Sequence, residues 1–206
     1  EVDFSTSLFL KVKTMSDIKE IEAYAYQHNV PIMMDDGLEF LLGQMKENHC
    51  RSFLEIGTAV GRTSLVVHDT FEGIRIVTIE RNPEMIAQAK QNFAGKENIT
   101  LIEGDALEVQ LPKDQLFDCI FIDAAKAQYT RFFTKYAPLL AKNGIIISDN
   151  MEFHGLVEHP ELTHNRNTKA LVRKIARYRE FLQALVDYQT DFYSIGDGVA
   201  VTRKRG

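Results

Sequence analysis

The chain has 206 residues, of which 45% are hydrophobic and 26% charged, with a formal net charge of −5. These values fit one globular domain with its own core, and not two domains. No apolar run approaches the roughly 18 residues that span a bilayer, and the start, Glu1-Val2-Asp3-Phe4, has no basic region leading into an apolar one, so neither a membrane span nor a secretory leader is expected. Cys50 and Cys119 read as small buried hydrophobes of a cytoplasmic protein, since their positions suggest neither a disulfide nor a zinc site. From Arg166 onward nine Lys/Arg face four Asp/Glu, a net of +5 on an otherwise acidic chain. That asymmetry points to a basic face, for which a solvated helix surface is the plainer reading.

In chain order, Ser16 opens a first helix whose rhythm of Ile18, Ile21, Glu22 and Ala25 runs to about His28. Pro31 breaks it, and a second helix runs from about Asp35 through Leu38, Leu41, Leu42 and Met45. Residues 1–49 are therefore expected as a helical extension, and 50–206 as the sheet core of the same domain. Strands follow at Ser52–Ile56, Ile74–Ile79, Ile99–Ile102, Phe117–Ile122 and Gly144–Ser148, with helices reaching about Thr70 and opening at Pro83. A long helix is expected from about Thr168 to Leu185, then two strands flanking Gly196-Asp197-Gly198, a turn signal for an antiparallel hairpin. The pattern predicts an α/β, doubly wound and mostly parallel seven-stranded sheet ending in an antiparallel hairpin. It resembles the class I methyltransferase plan.

In open α/β sheets ligands bind beyond the carboxyl ends of the strands. The first strand ends in Glu55-Ile56-Gly57-Thr58-Ala59-Val60-Gly61, where glycines allow a tight turn and close ligand approach. The spacing is not the dinucleotide G-x-G-x-x-G and resembles instead the E-x-G-x-x-x-G turn of S-adenosylmethionine enzymes. Glu80, ending the second strand, can accept both hydroxyls of a ribose, and Asp105-Ala106 follow the third. Read singly, Glu80 is a solvated carboxylate before a helix and Asp105 a turn residue; three such features on consecutive strand ends favour a cofactor site.

The fourth strand ends in Asp123-Ala124-Ala125-Lys126 and the fifth in Asp149-Asn150. Two carboxylates and an amide oxygen at neighbouring strand ends form a hard, all-oxygen set suited to Mg²⁺. His154 and His159 match no zinc spacing and read as loop residues.

Asp123-x-x-Lys126 followed by Asp149-Asn150 resembles the motif of catechol-type metal-dependent O-methyltransferases, over nearly the whole chain. Val30-Pro31-Ile32-Met33, Glu55–Ala59, Thr78–Asn82, Phe121–Lys126 and Val199-Ala200 are similar to the bacterial tRNA 5-hydroxyuridine methyltransferases, which make 5-methoxyuridine at the wobble position. The resemblance implies Asp123, Asp149 and Asn150 as Mg²⁺ ligands and Met33, Thr63, Glu80, Asp105 and Ala106 around S-adenosylmethionine, with Asp123 next to both. It also implies a homodimer. Catalysis would fall to Lys126 with Asp123: Mg²⁺ chelated by two adjacent substrate oxygens acidifies the attacking hydroxyl, and Lys126 accepts its proton or stabilises the oxyanion, provided burial and metal lower its pKa. Catechol offers such an oxygen pair, and so do O5 and O4 of 5-hydroxyuracil.

For the substrate, the tRNA anticodon loop is the expectation, contacted by Arg62, Phe153 and His154 at the site and by Lys169, Arg173 and Arg177, which recur at i, i+4, i+8. Leu171, Ile175, Tyr178 and Leu182 would form the core stripe of that helix. The absence of Trp favours a more open site than one clamping a small ring. A small-molecule catechol or caffeoyl-type O-methyltransferase shares every catalytic residue and is the alternative. A non-catalytic RNA- or S-adenosylmethionine-binding module would have no use for the metal set.

Overall fold

The apolar runs become five parallel strands, β1 (Ser52–Ile56), β2 (Arg75–Glu80), β3 (Ile99–Glu103), β4 (Phe117–Ile122) and β5 (Leu140–Ser148). Two antiparallel strands, β6 (Tyr188–Tyr193) and β7 (Val199–Lys204), complete a seven-stranded sheet of order β3-β2-β1-β4-β5-β7-β6. The computed structural model describes residues 18–205. The start expected at Ser16 lies outside them; the first helix, α1, is helical over 18–27. The others are α2 (Asp35–Glu47), α3 (Arg62–Thr70), α4 (Pro83–Asn92), α5 (Tyr129–Tyr136) and α6 (Arg166–Ala184). No helix among the described residues is long and apolar enough to cross a membrane.

Alternation along the strands divides the core between two faces. Leu54, Ile56, Ile120, Ile122 and Ile146 pack with Phe132, Phe133 and Tyr136 of α5 and Ile175 and Tyr178 of α6. Phe53, Ile76, Cys119, Phe121 and Ile147 point the other way, onto Leu38, Leu41 and Met45 of α2 and Val67 of α3. Both faces of the central strands are thus removed from water, as a parallel sheet requires. Both cysteines are buried free thiols in the second cluster.

Two boundaries and one buried stripe differ from expectation. β5 begins at Leu140, four residues before Gly144, because Phe117 still pairs with Leu140; the register then shifts so that Cys119 pairs with Ile145, and the polar Lys142-Asn143 pair bulges from the ladder. α6 begins at Arg166, since the Asn165 side chain accepts the N–H groups of Asn167 and Thr168 at 2.9 and 3.1 Å. Its buried stripe is Val172, Ile175, Tyr178 and Leu182, with Leu171 only half-buried.

β1 lies between β2 and β4, so the strand order switches there. A crevice at the carboxyl ends of β1, β2, β4 and β5 follows from that topology.

Candidate active site

A cavity of about 450 Å³ opens at these strand ends, within the range of about 300–1,000 Å³ typical of small-molecule sites. Gly57, Thr58, Ala59, Arg62 and Thr63 line it from the β1–α3 turn, Glu80 from β2, Ala106 from the loop after β3, and Met33 from the segment before α2. Asp123 and Lys126 line it from the end of β4, and Asp149, Asn150, Phe153 and His154 from the end of β5.

The β1 turn is shaped by close approach. Gly57 has φ +105°, and a Cβ there would lie 2.3 Å from the Asp123 carbonyl oxygen, so only glycine lets the ends of β1 and β4 meet. Glu80 is held rigidly: its Oε2 accepts the Ala59 N–H and its Oε1 the N–H groups of Arg81 and Asn82, each at 2.9 Å. A carboxylate has about four acceptor directions, so Oε2 keeps one that the backbone does not use.

Several expected contacts are made elsewhere. Glu55 is turned into the core, where the hydroxyls of Ser64 and Thr78 each donate to its Oε2 at 2.6 Å; desolvation pushes its carboxyl up to about 8. Gly61, at φ +85°, faces Phe93, which a Cβ would meet at 2.6 Å, so its role is packing. Asp105 does not line the cavity, although Gly104 and Ala106 on either side do. Its carboxylate accepts the Leu107 N–H at 2.8 Å and pairs with Arg81 at 3.1 Å, and these donors hold it below the ordinary range.

Arg62 lines the cavity but is not available to a substrate. Only 5% exposed, its guanidinium donates to Glu22 of α1 at 2.7 Å, to the Met33 carbonyl at 3.0 Å and to Asp35 of α2. It therefore ties α3 to both N-terminal helices and fixes the 30–34 segment as a cavity wall. Lys169, Arg173 and Arg177 lie on α6 away from the cavity, with Arg173 and Arg177 exposed. These four side chains give the RNA-contact expectation no support at the site.

The β4–β5 side is charged and dry. Asp149 is 3% exposed, and desolvation, with Asp123 adding like charge, pushes its carboxyl up to about 7. Asp123 is likewise raised by desolvation, and the Lys126 ammonium opposes the rise in both. The Tyr129 hydroxyl is buried without a hydrogen-bond partner among the described residues, in the field of both carboxylates. Asn150, Phe153 and His154 adopt φ of +58°, +48° and +58°, a conformation costing of order 1–3 kcal/mol per residue.

The cavity also includes residues not foreseen: Pro31, Ile32, Ile79, Arg81 and Asp197. Asp197 had read only as the middle of a hairpin turn. Its flanking glycines, both at positive φ, were a signal that the loop makes close contacts.

A sequence profile of O-methyltransferases matches residues 5–205. The chain is 27% identical over 211 residues to the caffeoyl-CoA O-methyltransferase of Citrus natsudaidai, covering 93% of this chain and 87% of that protein. A match to the O-methyltransferase ankF of Aspergillus thermomutatus is 32% identical over 131 residues and spans 60% of this chain and only 55% of that protein. Among solved structures, a Staphylococcus aureus protein described as a candidate caffeoyl-CoA O-methyltransferase has a TM-score of 0.86 and 35% identity, over 98% of this chain and 100% of that one. With its whole sheet and both sides of its cavity inside the matched span, the chain belongs to the O-methyltransferase family.

Proposed function

We propose that the protein transfers a methyl group from S-adenosylmethionine to a ring hydroxyl of a small molecule with two adjacent oxygens, of the catechol or caffeoyl kind, assisted by a divalent cation. The carrying observation is that Asp123, Asp149 and Asn150 line the same cavity as the Gly57–Thr63 turn and Glu80. The donor set fits a hard cation such as Mg²⁺: desolvation raises both carboxyls, the charge of Asp123 raises Asp149 further, and a positive ion between them would offset both effects. The nearby unpartnered Tyr129 hydroxyl fits the same polar site.

In this reading the free acceptor direction of Glu80 Oε2 takes a ribose hydroxyl of the cofactor. The walls from Met33 and Ala106 bound the remainder of that half. Asp123, Asp149 and Asn150 would hold the cation, which when bound acidifies a chelated hydroxyl. Lys126, which lines the same cavity and whose positive charge acts on both carboxylates, would stabilise the oxyanion of the acceptor at Nζ. The likeness to caffeoyl-CoA O-methyltransferases over most of both chains supports the small acceptor.

Methylation of 5-hydroxyuridine in tRNA is the second reading. What favours it is the rim: the Phe153 and His154 rings lie 5.4 Å apart, with the His154 side chain 74% exposed, a surface on which a splayed base could stack. Methyl transfer measured on a catechol, a caffeoyl thioester and tRNA containing 5-hydroxyuridine, with and without EDTA, separates the readings. Chelator-sensitive turnover of the small acceptors is expected. Turnover of tRNA alone would overturn the acceptor class, and full activity in EDTA would overturn the cation.

A further inference from the structure

We infer that Asp197, in the loop between β6 and β7, is a positioning residue that dictates which end of the Asn150 amide faces the cavity. The inference rests on the reading of Asp123, Asp149 and Asn150 as the cation's ligands. An asparagine ligates a hard cation only through its oxygen, so an amide turned the wrong way would present two N–H donors to the ion.

Asp197 is 6% exposed, and both its oxygens are engaged. Oδ2 accepts from Asn150 Nδ2 at 3.0 Å, and Oδ1 accepts the backbone N–H of His154. A carboxylate oxygen with these partners can only accept, so the Asn150 atom facing it must be the nitrogen, and Oδ1 is left for the cavity side. The main chain reinforces the bracket: the Asp197 carbonyl accepts the Glu152 N–H, and the Gly198 carbonyl the Met151 N–H, both at 2.9 Å. Gly198 has φ +81°, and a Cβ on it would lie 2.6 Å from the Glu152 nitrogen, so the loop can approach only through glycine. On its other side the loop is docked on α2, where the Gly196 N–H donates to Asp36 Oδ2 at 3.1 Å.

Two features separate this from an ordinary loop staple. Three of the six positive-φ non-glycine residues among those described, Asn150, Phe153 and His154, fall in the segment that Asp197 clamps. Asp197 also adds a third negative charge in the field of Asp149. A bracket serving stability alone gains nothing from more like charge beside the buried Asp149 carboxylate. An acceptor-only group that orients an amide requires it.

The test inverts the donor and the acceptor. In Asp197→Asn, the His154 N–H still demands the oxygen of the new amide, so its Nδ2 faces Asn150, which must turn its own oxygen inward and its nitrogen to the cavity. In the double variant Asn150→Asp/Asp197→Asn, the new amide donates to one oxygen of residue 150 and the other is presented to the ion. Mn²⁺ affinity is read by electron paramagnetic resonance, and thermal midpoints are taken in EDTA. Asp197→Asn is expected to weaken Mn²⁺ binding by about 10–100-fold, as loss of a group orienting a ligand does, with an unchanged midpoint, and the double variant to recover to within about tenfold of the parent. Undiminished binding in Asp197→Asn, or a folded double variant that binds poorly, overturns the role of Asp197. If Asp197→Asn does not fold, the double variant alone decides by the same criterion. A parent protein that binds no Mn²⁺ overturns the cation reading, and this inference with it.

Discussion

The two halves of the cavity wall are built on opposite electrostatic principles. At the ends of β1 and β2, polar groups are satisfied by the protein itself: Glu80 takes three backbone N–H groups, and the Asn92 side chain donates to the Val60 carbonyl at 2.7 Å. At the ends of β4 and β5, desolvation raises two carboxyls, the charges of Asp123 and Asp197 raise Asp149 further, and a tyrosine hydroxyl has no partner among the described residues. The first half is a preformed mould that needs no ligand to settle its own polar groups. The second holds unfavourable energy that a bound cation would release, and such strain concentrates where chemistry is done.

Removing a carboxylate from the second half should break the contrast most visibly. Asp149→Ala is expected to lower methyl transfer by about 1,000-fold or more, the equivalent of several kcal/mol of lost charge stabilisation. Its thermal midpoint in EDTA should hold or rise, because like charge has gone; a collapse would mean the carboxylates are structural. Lys126→Met should follow, with about a 100-fold fall in kcat and little change in KM. Steady-state kinetics on the small acceptor check both values, and an unaltered kcat would remove Lys126 from the chemical step.

The first half should instead fail through its backbone. Gly57→Ala places a Cβ against the Asp123 carbonyl at positive φ, and a loss of about 2 kcal/mol in urea denaturation is expected. The effect that vanishes at low pH belongs to Glu55, the frustrated carboxyl behind that half. Its folded-state value of about 8 stands above the ordinary 4.5, so its contribution to stability is complete below 4.5 and is lost as pH rises through 8. Glu55→Gln cannot titrate and should melt higher than the parent above pH 8, with the gap closing toward pH 4.5. A gap independent of pH would place the proton elsewhere.

The parallel strands were legible because each is a short apolar run closed by a turn residue, and burial on both faces demands that composition. The grouping of Asp123 with Asp149-Asn150, proposed to hold a cation, was legible for the same reason: strand ends are fixed by the ladder, so these residues had to share one edge. What stayed hidden depended on contacts distant in sequence. Arg62 next to a glycine turn looks like an anion contact, and only the return of Glu22, Met33 and Asp35 shows that its donors are already taken. The basic row on α6 has helical spacing, but its spacing does not say which side of the sheet the helix covers. Asp197 was masked by its own turn, since an aspartate between glycines needs no partner to be explained.

The sheet order bears on how the molecule comes into being on a ribosome. β7 is paired between β5 and β6, although β6 precedes it in the chain, so β6 has no neighbour in the sheet until β7 arrives. A nascent chain that has emerged only as far as residue 195 has the acidic pair in place but lacks the bracket on Asn150. Productive assembly therefore waits for translation through β7, and an incomplete polypeptide would display an unpaired β5 edge, a mark by which quality control could recognise it.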